Sequence, residues 1–138
     1  RAGGRQRPKS QNRFTSMDNA LRFLVANGLP VDTVIDVGVQ AETRELRKIF
    51  HDKIHVLFEP LKRFHQTIGS RYRDIEHMLV PMAVSDFDGE AELALIKNEN
   101  GNVVQSTLER WEVDRVRIPI KTTTLAPFLK PTPFQRPF

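Results

Sequence analysis

The chain has 138 residues, of which 39% are hydrophobic and 28% charged, and its formal net charge is +4. This length suits one domain with a core of its own, and the composition is that of an ordinary globular protein rather than a fibrous or disordered one. The absence of cysteine excludes disulfides, thiolate nucleophiles and cysteine-ligated metals, and no apolar run reaches the roughly 18 residues of a membrane span.

The positive charge is concentrated at the amino terminus. Residues 1–13 include several arginines and no acid, so all 17 acidic residues lie further along the chain, which is close to neutral there. We predict a disordered basic leader over 1–13, a domain over 14–130 and a proline-rich end over 131–138. A neutral domain does not favour nucleic-acid or membrane partners. The lack of cysteine and of a signal peptide favours a cytoplasmic location.

The domain begins with an amphipathic helix. Thr15 or Ser16 can cap it, and Asn27 with Gly28 provides a left-handed stop. We expect its apolar stripe to pack on a sheet. That stripe consists of Met17, Leu21, Leu24 and Val25.

Two strands with a helix between them follow. Residues 34–37 lack a regular alternation of polar and apolar side chains, which predicts a strand covered on both faces. Thr43 can cap the next helix, and residues 54–58 form a second apolar strand. A further helix is predicted from about residue 61 to residue 68, where Gly69 ends it.

The second half of the domain is richer in strands. We predict a strand over 77–84 that Pro81 interrupts, and a turn over 86–89 that joins it as a hairpin to an alternating strand over 90–96. The order of elements predicts a Rossmann-like α/β fold with helices on both faces of the sheet and a β-hairpin extension. The remaining predictions are one or two helical turns within 103–111, a strand from about 113 to 123 and a short helix within 125–129.

Both predicted parallel strands end in an acid. Asp36 lies near the end of the first strand and Gly38 follows that strand. Glu59 follows the second strand, roughly 20 residues further on. Ligands of open parallel sheets bind outside the carboxyl ends of the strands, where a glycine allows close backbone approach and an acid can accept hydrogen bonds from ribose hydroxyls. The sequence therefore predicts a small-molecule site at this edge of the sheet.

The loop after the first strand does not match a dinucleotide fingerprint. Only Gly38 is present, and Gln40 and Glu42 occupy the positions where further glycines belong. Glu42 also places a negative charge where the pyrophosphate of a dinucleotide would bind. The pattern favours a nucleoside ligand without phosphate, and S-adenosylmethionine meets that description.

Each of these residues also has a simpler interpretation. Asp36 can cap the next helix, Glu59 can be a helix-start acid, and Ser85 with Asp86 can belong to a turn. The four histidines lack metal-ligand spacing, so no metal site is predicted. No side chain stands out as a catalytic base.

Over roughly residues 17–128 the chain resembles the FkbM-type methyltransferases, a branch of the class I S-adenosylmethionine-dependent enzymes. The order and spacing of the matching segments are more specific than any one of them. These segments are Val34-Ile35-Asp36-Val37-Gly38, Thr43-Arg44-Glu45-Leu46, Leu57-Phe58-Glu59-Pro60, Pro81-Met82-Ala83-Val84-Ser85-Asp86 with Gly89, and Thr123-Thr124-Leu125 leading into Phe128-Leu129.

The resemblance implies a class I methyltransferase sheet, S-adenosylmethionine as cofactor, and methyl transfer to an oxygen of a small-molecule or sugar acceptor. It implies that Asp36 and Gly38 lie beside the amino-acid part of the cofactor, and that Glu59 binds the ribose. Ser85 and Asp86 are implied to lie beside the adenine. The full set of predicted cofactor residues is Asp36, Gly38, Val39, Gln40, Glu59, Pro60, Ser85 and Asp86.

Two departures from the family lead to further expectations. Glu42 stands where the family usually has a second glycine, so we expect its side chain to crowd the methionine end of the cofactor. The family also continues into a strand with a Lys-Ile-Asp stretch, near the place where this chain stops at Phe138. We therefore expect a sheet that is incomplete at its carboxyl-terminal end and has an unpaired edge.

Two other functions fit the same residues. One is an NAD-binding or nucleotide-sugar-binding enzyme of Rossmann type, against which Glu42 argues. The other is a non-catalytic remnant of a methyltransferase that acts as a binding domain, which the two departures favour.

Overall fold

A computed structural model describes residues 16–100, 103–107 and 116–129. The predicted leader over 1–13 and the proline-rich end over 131–138 lie outside these ranges. The fold is α/β, as predicted, with one parallel sheet of three strands and one mixed sheet of four. In chain order the elements are α1 (Met17–Ala26), β1 (Thr33–Val37), α2 (Arg44–Ile49), β2 (Ile54–Phe58), a 3₁₀ turn (Lys62–Phe64), α3 (His65–Arg71), β3 (His77–Val80), β4 (Ala83–Val84), β5 (Gly89–Lys97), β6 (Val103–Thr107), β7 (Val116–Thr123) and a second 3₁₀ turn (Ala126–Phe128).

The parallel sheet has the order β1-β2-β3, so β2 is its central strand and β1 lies at an edge. The prediction that β1 is covered on both faces is wrong. Val34 and Asp36 are buried, whereas Val37, the last residue of β1, is 52% exposed. The run of apolar residues gave no hint of this because β-branched side chains suit an edge strand as well as a central one.

The two faces of the parallel sheet carry different clusters. One face, on the side of α3, packs Leu57 against Ile68 and Tyr72. The other face packs Phe58 and Val80 against the 3₁₀ turn that follows β7, where the rings of Phe58 and Phe128 meet edge to face with centroids 4.9 Å apart. The end of the mixed sheet is thereby joined to the parallel one.

The predicted strand over 77–84 is two strands in different sheets. β3 ends at Val80, and β4 begins at Ala83 and pairs with β7 in parallel. Pro81 lies between them, where its missing N–H costs no ladder hydrogen bond. The prediction of a single strand over 77–84 is therefore wrong.

The partner of β5 also differs from the prediction. β5 is antiparallel, but it pairs with β7 and β6 rather than with the strand just before it. The turn over 86–89 therefore links strands that are not neighbours. Residues 103–107 form β6 where helical turns were predicted, and residues 108–111 lie outside the described ranges. Residues 126–128 form the predicted short helix as a 3₁₀ turn.

The helices mostly follow their local signals. α1 begins after Ser16, whose Oγ accepts the Asn19 N–H at 3.2 Å. Its stripe is not packed on a sheet as expected: Met17 is 53% exposed, no residue of α1 is buried, and α1 contacts α2. α3 continues through Gly69 to Arg71 instead of ending there. Within the described ranges, no helix combines the length and apolar character that a membrane crossing requires.

Candidate functional site

A small pocket lies at the carboxyl ends of β1 and β2, where the sequence predicts a site. Its volume is about 120 Å³. Four of the predicted cofactor residues line it, together with the last residues of both strands and three residues of the mixed sheet. The lining is Val37, Gly38, Gln40, Phe58, Glu59, Pro60, Ala83, Val84 and Leu93. We call this the Glu59 pocket.

The loop between β1 and α2 forms one wall of the Glu59 pocket. Gly38 has φ +77°, in the left-handed region that favours glycine, and Gln40 has φ +55°. The Gly38 N–H donates to the Phe58 carbonyl at 2.9 Å, and the Val39 N–H donates to the same oxygen at 3.3 Å. The turn is therefore tied to the end of β2.

Glu59 connects the loops that follow the two strands. Its Oε2 accepts the Gln40 N–H at 2.7 Å, and its Oε1 accepts the Leu61 N–H at 3.1 Å. The residue is only 2% exposed, and it is the one charged side chain among the described residues that line the pocket. Each carboxylate oxygen can still accept a second hydrogen bond. Glu59 can therefore hold the loop and receive a ligand hydroxyl.

Asp36 lies on the other side of the sheet from the Glu59 pocket. Its partner in register is Leu57, which belongs to the cluster facing α3. Burial raises the pKa of the Asp36 carboxyl, while a hydrogen bond from the Thr43 side chain and the proximity of His55 oppose that rise. Its Oδ2 is buried with no hydrogen-bond partner. Asp36 does not line the pocket.

Three other predicted cofactor residues are near the pocket without lining it. Val39 is 3% exposed and belongs to the cluster on the α3 side. Ser85 follows the pocket residue Val84; its N–H donates to the Thr123 carbonyl at 2.9 Å, and its Oγ donates to Asp86 Oδ1 at 3.2 Å. Asp86 is exposed. The structure thus gathers Gly38, Gln40, Glu59 and Pro60, and leaves the other four outside the lining.

Sequence reasoning missed the apolar part of the lining. Val37 and Phe58 are the last residues of β1 and β2, so the rule that ligands bind at strand ends was a usable signal for them. Ala83, Val84 and Leu93 reach the pocket because the mixed sheet packs against the parallel one. No local pattern predicts that packing.

Glu42 does not crowd the pocket, contrary to expectation. Its Oε2 lies 2.8 Å from Arg47 Nε, and its Oε1 lies 3.7 Å from Arg71 Nη1. The 2.8 Å contact is an ion pair without hydrogen-bond alignment, since both atoms are buried and neither has a hydrogen-bond partner. The charge of Glu42 is directed toward the arginines of α2 and α3.

A larger cleft of about 630 Å³ lies beside α2 and α3. It is open, and all of its lining side chains are polar or charged. No predicted cofactor residue reaches it. We place the candidate site at the Glu59 pocket because it combines apolar walls with a buried acceptor, as ligand sites usually do. The cleft is lined by Arg47, Gln66, Thr67, Ser70, Arg71, Arg73 and Asp74.

Comparison of the chain with protein-family models, curated proteins and solved structures found no match. The residues and geometry of the Glu59 pocket therefore carry the functional conclusion. That pocket offers a buried carboxylate, apolar walls and, in the described lining, no cationic side chain. Such a site suits a neutral or cationic ligand that carries hydroxyl groups.

Proposed function

We propose that this chain is an S-adenosylmethionine-dependent methyltransferase domain with a Rossmann-like fold of the FkbM type. The observation that carries the proposal is the Glu59 pocket, with its buried carboxylate at the end of β2 and the Gly38 turn at the end of β1. Its substrate would be an oxygen of a small-molecule or sugar acceptor. That acceptor class is supported only by the sequence resemblance.

The charge of the pocket supports this cofactor over NAD. In phosphate-binding loops the backbone N–H groups after the first strand face the phosphate. Here the Gln40 N–H is engaged by the Glu59 carboxylate, and no lysine or arginine is among the described lining residues. A phosphate would meet a buried negative charge without compensation, whereas a sulfonium cation would be attracted to it.

The chain's residues fit the ribose part of the cofactor. Glu59 would accept hydrogen bonds from ribose hydroxyls through its remaining lone pairs, and the Gly38–Gln40 backbone would lie beside the amino-acid part. The bound cofactor would supply an electrophilic methyl group. The pocket volume of about 120 Å³ is below the roughly 300–1,000 Å³ of typical ligand pockets. The pocket would therefore hold only a part of the cofactor. The rest would lie outside it, past the exposed side chain of Val37.

A second function is favoured by a specific observation. Both oxygens of Glu59 already accept backbone amides, and Glu59 is the one titratable side chain among the described lining residues. Such a site can bind a nucleoside but offers no general base that could take the proton of the acceptor hydroxyl. The alternative is therefore a non-catalytic domain that binds the same cofactor.

Calorimetric titration with S-adenosylhomocysteine and with NADH tests the proposal. We expect binding of the first and not the second. Replacing Glu59 with Ala should weaken binding at least about tenfold, because a charge-assisted contact contributes roughly 1.5–3 kcal/mol. Glu76→Ala, at an exposed glutamate, is the matched control.

Each result of the titration selects one function. Preference for NADH would favour the dinucleotide-binding enzyme, and binding of neither ligand would refute the cofactor assignment. Unchanged affinity in Glu59→Ala would make Glu59 a purely structural acid. Tight binding without methyl transfer to any sugar or small-molecule hydroxyl tested would favour the non-catalytic domain.

A further inference from the structure

The backbone of Glu59 is held as firmly as its side chain. Its N–H donates to the Val80 carbonyl at the end of β3, at 3.1 Å. Its carboxylate accepts the N–H groups of Gln40 and Leu61. The remaining polar group is the backbone carbonyl, whose oxygen lies 2.7 Å from Nε2 of His65. Every polar group of Glu59 therefore has a partner, and one of these partners is a side chain of α3.

The Glu59 carbonyl lies where the sheet provides no further partner. The parallel pairing of β2 with β3 ends with Phe58 opposite Val80. Pro60 follows Glu59 and cannot continue the ladder, because proline has no N–H. Glu59 is 2% exposed, and a buried carbonyl without a donor is costly. The half-buried ring of His65, the first residue of α3, supplies that donor.

The contact determines which nitrogen of the His65 ring carries a proton. A carbonyl oxygen only accepts hydrogen bonds, so Nε2 is the donor. In the neutral ring Nε2 then holds the single proton and Nδ1 is a bare acceptor. The imidazolium also carries a proton on Nε2, so the hydrogen bond is compatible with both charge states of the ring.

We propose that His65 is a positioning residue of the Glu59 pocket. His65 is not among the described residues that line the pocket, and it acts through Glu59. Its ring fixes the orientation of the Glu59–Pro60 peptide, and the peptide in turn fixes the direction of the carboxylate that receives a ligand hydroxyl. The inference rests on the proposed function for the identity of that ligand.

The contacts of residues 59–65 form a closed ring. The Leu61 N–H donates to Glu59 Oε1 at 3.1 Å, and the Leu61 carbonyl accepts the Phe64 N–H at 3.0 Å. The His65 side chain then returns to the Glu59 carbonyl. Without the His65 donor, that carbonyl either stays unsatisfied or rotates toward another partner. Rotation would displace the carboxylate, because both groups belong to the same residue.

The middle of this segment is anchored by packing. Leu61 is 4% exposed and belongs to the cluster of the mixed sheet, and Phe64 packs against that cluster and against the one facing α3. The Arg63 guanidinium lies over the Phe64 ring, 4.8 Å from its centroid. Loss of the His65 hydrogen bond should therefore be felt at the Glu59 turn, while the apolar contacts of the segment remain.

Titration of two His65 variants with S-adenosylhomocysteine tests the proposal. His65→Phe keeps a ring but removes the donor, and it should weaken binding at least about fivefold, the loss expected when one buried acceptor is left unsatisfied. His65→Gln places an amide N–H within reach of the same carbonyl and should restore most of the affinity. His51→Phe, at an exposed histidine, is the matched control and should bind like the unmodified protein.

The two variants separate positioning from a purely structural role. A loss of global stability would not change the affinity of the molecules that remain folded. Equal affinities of His65→Phe and the unmodified protein would overturn the proposal. A loss that His65→Gln does not repair at all would also overturn it, because the donated hydrogen bond would then not be the cause.

Nuclear magnetic resonance without ligand gives a second readout. We expect the His65 ring nitrogens to show a protonated Nε2 and, in the neutral ring, a bare Nδ1. Amide exchange at Gln40 and Leu61 should accelerate in His65→Phe and remain slow in His65→Gln and His51→Phe. A neutral ring protonated on Nδ1, or unchanged exchange in His65→Phe, would overturn the proposal.

The ligand-free readout keeps this proposal distinct from the methyltransferase function. If the unmodified protein does not bind S-adenosylhomocysteine, the cofactor assignment fails. The ring protonation and the amide exchange still decide whether His65 positions Glu59.

Discussion

At the scale of single residues, Glu59 has a structural role in addition to the ligand-binding role that its position in the sequence predicts. As the acid at the end of β2, it was expected to face a ribose. The structure adds a second task, because the same carboxylate accepts the N–H groups of Gln40 and Leu61 and so holds the loops after both strands. A buried carboxylate with two such bonds stabilises the folded site whether or not a ligand is present.

Replacing Glu59 with Gln should lower the free energy of unfolding by about 1–3 kcal/mol. The amide oxygen can keep one of the two backbone N–H partners, but the amide nitrogen faces the other donor and leaves it unsatisfied. Urea unfolding at neutral pH measures the change. The control Glu76→Gln, at an exposed glutamate, should stay within roughly 0.5 kcal/mol of the unmodified protein. Equal stabilities of the two variants would contradict the double contact.

At the scale of elements, two glycines in open space have opposite roles. Gly38 follows β1 with φ +77°, and Gly69 lies within α3 with no positive φ. A Cβ added at either glycine would have no neighbouring side chain or backbone atom within 4 Å. Any effect of a side chain at these positions is therefore conformational rather than steric.

Gly38→Ala and Gly69→Ala should change stability in opposite directions. Alanine at position 38 should cost about 1–2 kcal/mol, since an L-residue is disfavoured in the left-handed region. Alanine at position 69 should stabilise by about 0.5–1 kcal/mol, because glycine weakens a helix interior. Thermal unfolding of the two variants measures both changes. A gain in stability from Gly38→Ala would mean that the turn after β1 does not hold the conformation described.

At the scale of the whole molecule, β1 is the end strand of the parallel sheet as far as the structure describes the chain. In the described ranges no strand pairs with its outer edge. The strand Thr33–Val37 has no lysine or proline, the residues that natural sheets use to block such edges. An open edge of this kind can pair with a strand of another molecule.

Thr33→Lys should therefore reduce self-association. Thr33 is exposed at the start of β1, and a lysine there makes edge-to-edge pairing unfavourable. Sedimentation velocity at increasing protein concentration measures the effect. Gln66→Lys adds the same charge on the exposed side of α3 and serves as the control. If both variants reduce association equally, net charge rather than the strand edge is responsible.

The sequence by itself determined α1, the strands β1 and β2, and the position of the candidate site. Ser16 and Gly28 set the limits of α1, the apolar runs gave β1 and β2, and Gly38 marked the left-handed turn between strand and helix. It also identified Glu59 as the acid at the edge of the sheet. These features depend on residues close together in the chain, whose periodicity and backbone preferences act locally.

Only the tertiary structure decided where the side chains of the site point and which strands are neighbours. Asp36 faces α3 instead of the pocket, Glu42 faces arginines, and β5 pairs with β7 rather than with the preceding strand. A one-residue change of register reverses the face of every side chain in a strand. Strand order, moreover, depends on contacts between residues far apart in the chain. For these reasons local patterns located the Glu59 pocket but did not identify the apolar walls that complete it.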